Sequence, residues 1–171
     1  MVLVSAGLPR TDRVLAMQPV ATPSQSFRAV MDSNVSAPRP LRRGVVAVAR
    51  RGELFLTIRR GEKVAAPGRL CFPGGHIEPG EEEHEAVVRE CREELAAHVS
   101  PRACVWRNVT DRGVALAWWT VTVADEAEFV PHPVEVAEVL WLSAAEMLAD
   151  STLLEGNRPF IEAIIAGRVD V

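Results

Sequence analysis

Residues 74–95 read GGHIEPGEEEHEAVVRECREEL, a stretch with eight glutamates against two arginines. Placing Glu90 at zero and advancing about 100° per residue brings Glu83, Ala86, Glu93, Glu94 and Ala97 within about 60° of it. Val87, Val88, Cys91 and Leu95 fall on an adjoining face. The spacing therefore predicts a helix with an apolar seam and a carboxylate seam. The apolar seam needs a core to pack on, and the carboxylate seam needs a counter-charge. Like charges three and four residues apart repel by roughly 0.2–0.5 kcal/mol per pair even on an exposed helix. A cation turns that repulsion into binding, and an all-oxygen ligand set favours Mg²⁺ or Mn²⁺. A solvated acidic face is the alternative reading of the pattern alone.

The flanking segments supply the core. GVVAVAR and ELFLTIRR are β-branched, apolar runs separated by Arg51-Gly52, which reads as a hairpin. The loop GEKVAAPGR, a short LCF strand and a PGG turn lead into the acidic helix, which Ser100-Pro101 would end. ACVWRNVT and VALAWWTVTV flank Asp111-Arg112-Gly113 as a second hairpin. Strand alternation sends Trp118 and Trp119 to opposite faces. VEVAEVLWLS reads as another strand, and SAAEMLAD and NRPFIEAIIAG as two short closing helices. Strands mixed around one long helix make an α+β pattern.

The first 43 residues differ in character, with prolines, serines and arginines, no glutamate, and only Asp12 and Asp32 as acids. They read as an N-terminal extension, 1–43, to a domain over 44–171. Within it, Thr22 as N-cap, Pro23, Gln25 and then Phe27, Val30 and Met31 on one face predict a short helix. It either packs on its own domain or makes a homodimer contact.

Composition removes several classes of function. A net charge of −4 gives no broad basic field for extended nucleic acid or an anionic membrane, so a polyanionic substrate must be held locally. No apolar run approaches the ~20 residues of a membrane span. Cys71, Cys91 and Cys104 match no metal-ligand spacing and read as reduced thiols of a cytoplasmic protein.

The acidic segment also carries a spacing. Gly75, five residues, Glu81, seven residues, and then Arg89-Glu90-Cys91-Arg92-Glu93-Glu94-Leu95-Ala96-Ala97 resembles the Nudix box, G-x5-E-x7-R-E-U-x-E-E-x-G-U with U apolar. Six fixed matches would arise by chance about once in ten million placements at ordinary residue usage. FPGG before the box and the strand–loop–helix order are similar to the family as well. The resemblance spans roughly 44–149 and implies the Nudix fold, an α/β/α sandwich around a mixed β-sheet.

It also implies a chemistry. Glu90 and Glu94, one turn apart, would hold Mg²⁺, or Mn²⁺ in its place. Glu93 would be a further ligand or the base that activates water, and the Gly74 carbonyl can join the metal. Arg89 would orient Glu93, while Gly75 and Glu81 shape or brace the box. Cys91 sits at the apolar position and packs toward the core. Ala96 stands where the pattern has glycine, and its cost in a left-handed conformation suggests a helix that runs on toward Val99.

Outside the box, Glu135, six residues before Trp141, resembles the outlying metal-binding glutamate of MutT-like members, with Glu138 as its rival on the other face. Arg59 and Arg60 end the second strand where phosphate-contacting arginines occur, and Arg59 is chosen for substrate. One of Trp118 and Trp119 could stack on a base. His76, His84, His98 and His132 lack spaced partners and read as structural or solvated. The chain has no tyrosine, and no proline between Pro101 and Pro131, which removes subgroup signatures for dinucleoside polyphosphates and ADP-ribose. The expectation is metal-dependent hydrolysis of a nucleoside diphosphate linked to another moiety, a nucleoside triphosphate above all. The alternative is a Nudix-fold protein that binds a nucleotide without cleaving it.

Overall fold

The structure is a computed structural model that describes residues 42–124 and 126–171. The helix expected around Thr22 to Met31 lies outside them. β1 (Arg42–Arg51) and β2 (Leu54–Arg60) are joined at the two-residue turn Gly52-Glu53, with Gly52 at a φ of 58°. They pair only next to that turn, Arg50 with Phe55 and Arg51 with Leu54, and then part. β3 (Leu70–Cys71) pairs with β2, and β4 (Gly74–His76) pairs with β1. The chain thus crosses from one half of the sheet to the other at Phe72-Pro73, where Ala47 N–H donates to the Pro73 carbonyl at 2.8 Å. The expected PGG turn is therefore a strand start, because Gly74 and Gly75 are held in register opposite Val46 and Val45.

α1 (Glu83–Leu95) follows and lies over β4, β1 and β5 (Val99–Val109). β5 and β6 (Val114–Val123) form the second hairpin, closed through Gly113 at a φ of 69°. Ser100-Pro101 does not end the helix but lies inside β5, opposite Thr122 and Val121, and an irregularity beside Pro101 absorbs the missing amide donor. β6 runs parallel to β1, and the other strand pairs among the described residues are antiparallel, so the sheet is mixed. β7 (Val136–Ser143) takes the free side of β2. The chain closes with α2 (Ala144–Ala149), capped by Ser143, and α3 (Arg158–Ile165).

Alternation along β1 builds two cores. Val45, Ala47 and Ala49 join Ala86, Val87, Cys91 and Leu95 of α1. Val46 and Val48 join Phe72, Trp118, Met147 and Phe160 on the face covered by α2 and α3. This is the expected α/β/α sandwich, with Trp118 and Trp119 on opposite faces.

α1 stops at Leu95 instead of running toward Val99. Ala96 takes the left-handed cap itself, at φ 51° and ψ 25°. A non-glycine residue there costs about 1–2 kcal/mol, and tertiary bonds offset it. Val130 N–H donates to the Leu95 carbonyl at 2.9 Å and His132 N–H to the Glu94 carbonyl at 2.8 Å, filling the acceptors a further helical turn would have used.

Candidate active site

α1 turns its acidic seam toward the β4 strand, and two glycines make the approach fit. Gly74 has a φ of 144°, and a Cβ on it would run into the Val45 carbonyl. Gly75 serves differently: a Cβ there would occupy the space of the Glu90 carboxylate. The glycine of the box is thus the vacancy into which Glu90 fits.

Arg89 organises the rest. Its Nε and Nη2 donate to the two oxygens of Glu81 at 2.8 and 2.9 Å, a bidentate pair. Nη1 reaches both Glu90 and Glu93 at 3.0 Å, and Nη2 also donates to the His76 carbonyl at 2.8 Å. Glu81 in turn accepts from Glu78 N–H at 2.9 Å. The Arg89 guanidinium and this amide hold the Glu81 carboxyl well down, at about 2. Glu81 is a brace that locks the loop to the helix. Its pairing with Arg89 across eight residues had no signal in the local pattern.

Glu94 has a different setting. It is only 4% exposed, and Gly74 N–H donates to its Oε2 at 2.9 Å. Burial first, then the charges of Glu90 and Glu135, push its carboxyl up to about 8, against the opposing pull of Gly74 N–H and Arg60. Glu90 is raised too, mainly by burial, with Glu93 and Glu135 adding to it and Arg89 opposing. Glu93 stays half exposed. Glu81, Glu90 and Glu93 thus share the Arg89 guanidinium, Glu94 feels the charge of Arg60, and Glu135 adds a further negative charge felt at Glu90 and Glu94. Among the described residues no three acidic, histidine or cysteine side chains close into a preassembled metal cage.

Glu135 lies in a turn before β7, so strand alternation does not place it. The turn is held because Gly61 N–H donates to the Glu135 carbonyl at 2.7 Å, and a Cβ on Gly61 would strike Val134. From there its charge reaches Glu90 and Glu94. Glu138 lies opposite Arg59 on β2 and forms an ion pair with it at 3.3 Å. A bulge between Glu138 and Val136 separates the two glutamates.

The arginine pair divides in the opposite sense to the sequence expectation. Arg59 is committed to Glu138, Asp150, Thr152 and the Gly68 carbonyl, on the face away from α1. Arg60 shares parity with Leu56 and Ile58, which pack under α1, and its charge acts on Glu94. Both sides of β2 are apolar, so periodicity alone could not choose between them.

Trp118 is fully buried and stacks on Phe160 at 4.2 Å, so its ring face has no room for a base. Trp119 is partly buried, and its Nε1–H donates to Glu83 at 3.2 Å. Glu83 also receives both Nη groups of Arg107 at 2.7 Å and Arg43 at 3.2 Å, so it pins the first turn of α1 and takes no part in the acidic cluster. A cavity of about 210 Å³ at this end of the helix is lined by Arg43, Glu83, Arg107 and Asn108 among others, and includes none of the five clustered carboxylates. Cys91 is buried among the core residues, and burial raises its thiol to about 12, as befits a packing residue.

Residues 38–164 match the model of the NUDIX domain. The chain is 35% identical over 112 residues to the 8-oxo-dGTP diphosphatase of Escherichia coli K12, covering 64% of this chain and 83% of that one. It is 30% identical over 127 residues to the CTP pyrophosphohydrolase of the same organism, covering 72% and 91%. The crystal structure of a MutT protein from Methanosarcina mazei Go1 superposes with a TM-score of 0.66 at 26% identity, covering 78% of this chain and 99% of that one. With the box, the sandwich and these likenesses in agreement, the chain belongs to the Nudix family, as a MutT-like hydrolase.

Proposed function

We propose that the chain hydrolyses a nucleoside diphosphate linked to another moiety in a Mg²⁺-dependent reaction, with a nucleoside triphosphate as the preferred substrate and Mn²⁺ as a substitute ion. The observation that carries this reading is the unbalanced charge of the site. Glu94 is almost wholly buried, has only a backbone N–H as its side-chain hydrogen-bond partner among the described residues, and feels the charge of other carboxylates. Its ionised form has only the charge of Arg60 to oppose burial and its acidic neighbours, and a hard, oxygen-seeking divalent cation fits the donor set. The absence of a closed cage suits Mg²⁺, which keeps several waters and shares itself with substrate phosphates.

Glu90, Glu94 and Glu93, with the Gly74 carbonyl and Glu135, would hold the ion. When bound, it supplies Lewis-acid polarisation of phosphoryl oxygens and a lowered pKa for a nearby water. The remaining work falls to the chain. Arg89 fixes Glu90 and Glu93 in one orientation. Glu93, the most exposed of Arg89's carboxylate partners, would take the proton from attacking water. Arg60, on the α1 side of β2 with its Nε on the Ala65 carbonyl, would be a cation for phosphate. The names of the two E. coli relatives, a diphosphatase and a pyrophosphohydrolase of nucleoside triphosphates, support release of pyrophosphate.

Residues 44–171 would form the catalytic unit and 1–43 an extension, which is where a homodimer contact would lie. The three unpaired cysteines, two of them buried, suit the reducing cytoplasm.

A screen of 8-oxo-dGTP, dGTP, CTP and a nucleoside diphosphate sugar with Mg²⁺ tests the reading. Expected products are a nucleoside monophosphate and pyrophosphate from a triphosphate. No turnover of any of them, or release of orthophosphate alone, would overturn it. Glu135→Gln is expected to lower turnover by about tenfold or more, as loss of a site carboxylate does, and Glu138→Gln to leave it within about twofold.

A further inference from the structure

The turn that carries Glu135 contains a second polar group with no assigned task. His132 Nδ1 is sealed from solvent and has no hydrogen-bond partner, although the side chain as a whole is 42% exposed. A buried ring nitrogen left unpaired is unfavourable and uncommon, so its surroundings indicate what it is set to meet. The nearest acid is Glu135, whose Oε1 lies 4.0 Å away. Glu135 has no arginine or lysine partner within ion-pair distance among the described residues.

The backbone around them is fixed on every side. His132 N–H donates to the Glu94 carbonyl at 2.8 Å, tying the turn to the helix residue whose side chain faces the site. The His132 carbonyl accepts from Glu135 N–H at 3.1 Å and from Val136 N–H at 3.0 Å, while Gly61 holds the Glu135 carbonyl. The Glu135 carboxylate therefore extends from a clamped backbone beside the imidazole, and its charge is felt at Glu90 and Glu94. Closing that 4.0 Å separation by about 1 Å would bring Oε1 into hydrogen-bond range of Nδ1.

We infer that His132 is a positioning residue: its Nδ1–H holds one oxygen of Glu135, so that the other is presented to a divalent cation at the carboxylate seam of α1. The inference rests on the proposed function, since it takes the seam as the cation site. A carboxylate that binds a cation with one oxygen and a ring N–H with the other is a common support for metal ligands, and losing such a support typically costs 10–100-fold in metal affinity.

The test is binding of Mn²⁺ alone to the full chain without nucleotide, followed by the loss of the free-ion electron paramagnetic resonance signal. His132→Leu fills the space without a donor and is expected to weaken binding about tenfold. His132→Asn places an amide N–H where Nδ1 stood and is expected to restore affinity to within about threefold, whereas His132→Gln, whose amide reaches the Nε2 position, is not. On a Glu135→Gln background, His132→Leu should add no further loss. Wild-type affinity in His132→Leu, or equal loss in the Asn and Leu variants, overturns the inference while leaving the seam intact. Unchanged Mn²⁺ binding in Glu90→Gln overturns the cation site itself, and the inference with it. Melting curves of each apo variant separate these outcomes from unfolding.

Discussion

Gly75 is the residue at which backbone and chemistry meet most closely. Its hydrogen occupies the ground on which the Glu90 carboxylate rests, so Gly75→Ala must displace that carboxylate. Turnover is expected to fall about 100-fold, as misplacement of a catalytic group by 1 Å commonly does. The melting temperature should change little, because Gly75 is not in the left-handed region. Initial rates and a thermal melt check the two halves of the statement. Glu94 gives the complementary case, where charge and not shape is at issue. Its folded pKa of about 8 lies above the ordinary carboxyl value, so the folded chain without metal binds a proton more tightly than the unfolded one. That contribution is full below about pH 4.5 and is lost as pH rises through about 8. Glu94→Gln should remove the dependence, raising the melting temperature of the metal-free protein at pH 8.5 more than at pH 5, while abolishing Mg²⁺-dependent turnover. A wild-type protein equally stable at both pH values, with no gain in the variant, would contradict the buried, cation-seeking carboxylate.

At the scale of elements, α1 is where the sequence was most readable, and its ends are where it was least so. Period 3.6 separated Val87, Cys91 and Leu95 from Glu90 and Glu94, and spacing identified the box. Neither carries information about residues brought in from elsewhere in the chain. The Arg89–Glu81 clamp, the Ala96 cap and the Glu135 turn all depend on contacts across a loop or from a distant segment. The choice between Arg59 and Arg60 depended on which apolar face of β2 the helix would cover, and that is settled by tertiary packing alone. The cap offers an experiment. Ala96→Gly removes the left-handed penalty and is expected to stabilise the chain by about 1 kcal/mol, or roughly 2–4 °C in melting temperature. If the variant were destabilised, the helix would have to end by some route other than this cap.

Across the whole molecule, the acid limit of stability follows from carboxylates that hold elements together, in contrast to Glu90 and Glu94, whose burial raises their pKa. Glu81 and Glu83 are both lowered to about 2, Glu81 chiefly by Arg89 and Glu83 chiefly by Arg107. Depressed groups stabilise the fold above the ordinary carboxyl value, and that stability is lost as pH falls from about 4.5 toward 2. Glu83→Gln should therefore lower the denaturation midpoint at pH 7 and matter progressively less below pH 4.5, which urea titrations across that range would show. Its partners Arg43 and Arg107 are more than half exposed, so the loss is on the order of 1 kcal/mol. The crossing at Phe72-Pro73 reaches further than any side chain. One continuous strip is bonded to β2 through Leu70 and Cys71 and to β1 through Gly74 and Gly75, so the two halves of the sheet are sewn together directly beneath the acidic seam. Neither half can breathe without tearing the stitch. Slow amide exchange at Ile58 in one half and Val46 in the other should consequently report a single cooperative opening, with the strands under that seam among the last parts of the described fold to admit solvent.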